Sequence, residues 1–156
     1  MGEIFVQFEA IDVGTKLSEA LEKIKKEFGE TLVGCHLTVI DKYFLKIKDT
    51  SSDKYANVFA TWMKQNEIRT LCVYSRTAEP GYDKFWGQLQ NVCEKMVDCK
   101  LEPSLNTTHD RVWLSTHDFK KYTAVTVGTS LNGLGRQLCF VNKLPDSDVK
   151  VLLGHM

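Results

Sequence analysis

The chain has 156 residues, with 20 Lys and Arg balanced by 20 Asp and Glu, so its formal charge is zero. That length suits one domain with a sizeable core, and 43% hydrophobic with 26% charged residues excludes a disordered or fibrous chain. No apolar run approaches the ~20 residues of a membrane span, and the balanced charge excludes a broad electrostatic footprint for duplex nucleic acid or an anionic membrane, though not a small local site.

Ile4, Val6 and Phe8 alternate with more polar neighbours from Glu3 to Ala10, which predicts a first strand. Thr15 opens a helix in which Leu17, Leu21, Ile24 and Phe28 repeat at helical spacing, and Gly29 ends it. Lys23, Lys25 and Lys26 then form a solvated face. Leu32 to Ile40 and Tyr43 to Lys48 read as two strands, with Asp41-Lys42 as a tight turn between them. Ser51, Ser52 and Asp53 are N-cap candidates for a second helix with Tyr55, Val58, Phe59, Trp62 and Met63 on its apolar stripe. Ile68 to Ser75 is a further strand, stopped by Glu79-Pro80-Gly81. Asp83 caps a third helix carrying Phe85, Leu89, Val92, Cys93 and Met96 on one face.

After Pro103 the texture changes to strands and turns: Arg111 to Ser115, Thr123 to Gly128 and Arg136 to Asn142. Asn132-Gly133 between the last two is a hairpin signal, and Asp146 to Leu153 reads as a short tail. The expected fold is a single α+β domain over residues 1–156, with three main helices, a mixed or mostly antiparallel sheet and a C-terminal β-hairpin.

The five cysteines are scattered, with no C-x-x-C pair for a zinc ribbon or a redox dithiol. Cys35, Cys72 and Cys139 sit in apolar strand contexts, and only an oxidising compartment would bridge Cys93 to Cys99. The N-terminal residues lack a basic stretch followed by an apolar core, and Gln7 breaks the myristoylation pattern begun by Gly2. A reducing compartment, cytoplasmic or nuclear, is the expectation, in which the sequon at Asn106 carries no glycan.

Strong chemical motifs are absent. Gly133 is followed by Leu134 where a P-loop needs Lys, and the glycines from Gly128 to Gly135 lead into a strand instead of opening a helix. No cofactor fingerprint, G-x-S-x-G elbow or Cys-His signature is present, and Asp110, Asp118, His109 and His117 do not form a metal-ligand pattern. Trp62 and Trp86 belong to helical apolar stripes. Trp113, between Val112 and Leu114 on a strand, is the expected exposed aromatic, with Arg111, Lys120 and Lys121 near it to contact phosphate.

His36 and Thr38 point to the same face of their strand, an arrangement in which imidazole and hydroxyl can share a phosphate oxygen. A strand, then a helix, then a strand bearing His36-Leu37-Thr38 resembles the opening of the 2H phosphoesterase superfamily. That resemblance implies two His-x-Thr/Ser motifs and metal-free cleavage of cyclic or 2′,5′-linked nucleotide phosphodiesters, with His36 and His109 as acid and base and Thr38 on the phosphate. At the second motif Arg111 stands where the family has a hydroxyl residue. Two readings follow: a non-enzymatic module that binds a protein or a single-stranded or small nucleic acid, or a 2H-like phosphoesterase. Neither calls for a cofactor, a metal or a membrane.

Overall fold

The computed structural model describes residues 9–76, 79–94, 100–102 and 111–156. These form one mixed sheet with helices on both faces, an α+β architecture. In chain order the elements are β1 (Glu9–Ile11), α1 (Leu17–Phe28), β2 (His36–Ile40), α2 (Ser52–Gln65), β3 (Thr70–Tyr74), α3 (Asp83–Glu94), β4 (Lys100–Glu102), β5 (Val112–Thr116), β6 (Tyr122–Val127), β7 (Cys139–Lys143) and α4 (Asp146–Gly154). The strand order is β1-β7-β6-β5-β2-β3-β4. Strands β2, β3 and β4 are parallel neighbours linked through α2 and α3, and the remaining pairings are antiparallel.

The period-2 alternation of the strands splits the apolar residues between two layers. Leu37, Val39, Leu71, Val73, Trp113, Val125 and Val141 face the stripes of α1, α2 and α3, including Leu21, Ile24, Phe59, Trp62 and Phe85. Ile40, Val112, Leu114 and Ala124 face the other way and pack with Val149 of α4. That second layer covers only part of its face.

Four features differ from the sequence expectation. Tyr43 to Lys48 is not a strand, because Asp41 Oδ1 accepts the Tyr43 amide at 2.9 Å and closes a local turn in place of a ladder hydrogen bond. Phe44, Leu45 and Ile47 are still buried, so the alternation that suggested a strand reflects anchoring of an irregular segment. Asn132-Gly133 lies in a 3₁₀ turn (Leu131–Gly133), so β6 and β7 pair as antiparallel neighbours across a long connection and not through a tight hairpin turn. The glycine with left-handed backbone in that connection is Gly135. The supposed tail is a fourth helix, α4, which Pro145, Asp146 and Asp148 start and Val149 ties to the sheet.

Candidate functional site

The sequence-derived binding group does not assemble. Trp113 does face opposite to Val112 and Leu114, but that is the core side: it is 1% exposed and meets Phe44, Phe59 and Trp62 in edge-to-face contacts near 6 Å between ring centroids. The expected exposed aromatic is the centre of the core. Arg111 precedes β5, whereas Lys120 and Lys121 follow it, about 20 Å away at ~3.3 Å per residue. His109 lies outside the described residues, as do Met96, Cys99, Asn106 and Asp110.

Around the first residue of β2, His36 Nδ1 is 2.8 Å from Thr70 Oγ1 on the neighbouring strand, and the Phe119 ring lies over the imidazole with centroids 4.4 Å apart. His36 and Thr38 share one face and are half-buried, as the strand alternation predicts. His117 is committed to the Val33 carbonyl at 2.9 Å. The Asp118 carboxylate accepts the Lys120 and Lys121 amides, both at 2.9 Å, which hold it below the usual carboxylate range and fix the β5–β6 turn. Among the described residues no cluster of His, Cys, Asp and Glu is arranged to hold a metal, and no helix is long and apolar enough to cross a membrane. Cys35 and Cys139 are buried free thiols.

The more developed surface lies at the opposite, carboxyl end of the parallel strands, where open α/β sheets commonly bind ligands. As β2 ends, the Asp41 amide donates to the Tyr74 carbonyl at 3.1 Å, and as β3 ends, the Arg76 amide donates to the Lys42 carbonyl at 3.0 Å. Ser75 Oγ donates to that same carbonyl at 3.2 Å and accepts the Leu45 amide at 3.4 Å. These bonds, together with burial of Phe44, Leu45 and Ile47, display Lys42, Tyr43 and Lys46 outward. Asp49 ties the start of α3 to the same place: its amide donates to the Gly81 carbonyl at 2.8 Å, and its carboxylate accepts the Lys84 amide at 2.9 Å.

The result is a shallow cleft of about 30 Å³ lined by Lys42, Tyr43, Leu45, Lys46, Arg76, Glu79 and Tyr82. Three cations there meet one carboxylate. Lys46 Nζ lies between two rings, 5.9 Å from the Tyr43 centroid and 5.8 Å from that of Tyr82, and Lys42 Nζ is 5.8 Å from Tyr43. Tyr43 is 38% exposed. Cation–π contacts at an exposed site contribute only about 0.5–1 kcal/mol each, so a ligand can displace the lysines from the rings at little cost. Sequence reasoning missed this site because it placed Tyr43 to Lys48 in the sheet. The available signal was Lys42-Tyr43 followed by Lys46 and Lys48, basic residues interleaved with an aromatic.

Compared with protein-family models and with curated protein sequences, the chain matches none.

Proposed function

We propose that this protein is a non-enzymatic binding module whose partner is a single-stranded nucleic acid, engaged at the carboxyl end of β2 and β3. The observation that carries the reading is Lys46 held between the Tyr43 and Tyr82 rings with Lys42 and Arg76 alongside. Aromatic faces accept bases of any sequence, and flexible lysines accept the flanking phosphates. A small positive patch on a chain of zero net charge suits a short stretch of single strand better than a duplex.

Fluorescence anisotropy with a labelled single-stranded oligonucleotide tests it. Affinity is expected to fall with salt at a slope of about −2, roughly three phosphates at ~0.7 each. Tyr43→Ala should weaken binding by about 1–3 kcal/mol, one lost stacking contact. Binding that ignores both salt and Lys46→Glu would sink the idea.

A second reading, metal-free hydrolysis of a cyclic nucleotide phosphodiester, is supported by one observation: His36 and Thr38 lie half-buried on the same face of β2. Turnover of a 2′,3′-cyclic nucleotide that disappears in His36→Ala would support it. No turnover by the wild-type protein would remove it.

A further inference from the structure

The same end of the sheet holds a partly buried polar chain. Asp41 is 2% exposed, and its Oδ1 accepts both the Tyr43 amide at 2.9 Å and the Ser130 hydroxyl at 3.0 Å. Ser130 Oγ in turn accepts Arg111 Nε at 3.0 Å, which places that nitrogen 3.5 Å from Asp41 Oδ1. The ion pair is not a closed fork. A guanidinium that served only to neutralise a buried carboxylate would bridge both of its oxygens. Here Asp41 Oδ2 is buried with no hydrogen-bond partner among the described residues, and neither Nη nitrogen of Arg111 donates to a described residue. The Arg111 side chain is 30% exposed. Arg111 is therefore located through Nε by a hydroxyl that a buried carboxylate orients, while its two remaining nitrogens stay uncommitted.

We infer that Arg111 is a pre-organised phosphate-binding residue of this surface, positioned by Asp41 through Ser130, with its Nη pair taking two oxygens of one backbone phosphate. This rests on the reading of the carboxyl end as a nucleic-acid surface. Val112 pairs with Ile40, so Arg111 stands across from Asp41 and beside the Lys42 segment, and Arg111, Lys42 and Arg76 are supplied by three adjacent strand ends. A planar guanidinium recognises phosphate as a fork, which a lysine cannot do, and holding it in place beforehand lowers the entropy cost of binding. Lys42 and Lys46 then supply diffuse attraction, and Arg111 sets where the strand lies.

The test titrates a labelled single-stranded oligonucleotide into the full chain across a range of salt. Arg111→Lys keeps the charge and loses the fork, so affinity should fall about tenfold, one charge-assisted hydrogen bond, with the salt slope unchanged. Arg111→Gln should lose as much and also flatten the slope by about 0.7, one phosphate contact. Ser130→Ala should weaken binding several-fold at unchanged slope, as expected of a positioning residue. Arg111→Gln leaves Asp41 buried without its cation, so Asp41→Asn/Arg111→Gln, which removes both charges, serves as the folded control and should bind like Arg111→Gln. If Arg111→Lys and Ser130→Ala bind like wild type while Tyr43→Ala does not, Arg111 is only a counter-ion and the inference falls while the surface reading stands. If the double variant binds at full strength, or an acidic peptide competes as well as a second oligonucleotide, the inference also falls. A wild-type protein that binds no oligonucleotide removes both.

Discussion

Gly135 packs against the Thr15 carbonyl so closely that a β-carbon at position 135 would lie inside van der Waals contact of that oxygen. The Gly14 amide also donates to the Gly135 carbonyl at 2.7 Å, so this glycine seats the β6–β7 connection on the loop before α1. Its φ of 79° is in the left-handed region. Gly135→Ala combines that strain with a backbone clash and should cost about 1–3 kcal/mol in urea unfolding. Gly154→Ala, where a β-carbon meets nothing, is the matched control and should be near neutral.

Trp113 joins the sheet to α2, touching Phe44, Phe59 and Trp62. Trp113→Ala should destabilise by about 3–5 kcal/mol, a large share of the ~5–15 kcal/mol that holds a typical domain together. Trp113→Phe should cost less, because an edge-to-face ring remains. Equal midpoints for wild type and Trp113→Ala in chemical denaturation would contradict the buried position.

Burial holds the Asp41 carboxyl above its ordinary value of 3.8, opposed by the Tyr43 amide, the Ser130 hydroxyl and the Arg111 charge. The folded protein therefore binds this proton more tightly than the unfolded chain does. The resulting stability is fully present below the unfolded value and is lost as pH rises through the higher folded one. Relative to Asp41→Asn, the wild-type protein should thus lose stability between about pH 4 and pH 7. A difference between the two that stays constant across that window would show that Asp41 does not titrate this way.

Cys35 is 0% exposed, and burial pushes its thiol up to about 12. A thiol needs its thiolate to react, so Cys35 should resist iodoacetamide in the native protein at about pH 8 and become modified in denaturant. Mass mapping of the labelled peptides reads this directly. Modification of Cys35 at equal rates with and without denaturant would contradict its burial.

Long periodic segments declared themselves locally. The stripes of α1, α2 and α3 and the alternation of β2, β3, β5 and β6 follow from the spacing of apolar residues, because a helix or strand must bury one face wherever it docks. The common face of His36 and Thr38 was legible for the same reason. Segment 42–48 was not: its alternation is real, but one carboxylate, Asp41, takes the amide that a strand would have used. Alternation also placed Trp113 opposite Val112 and Leu114 without saying which side was wet. The apolar helices on one side and only α4 on the other settled that. The tyrosine–lysine cleft and the Asp41–Ser130–Arg111 chain join residues up to 89 positions apart. No local spacing encodes such meetings; strand order and register create them, and tertiary packing alone decided them.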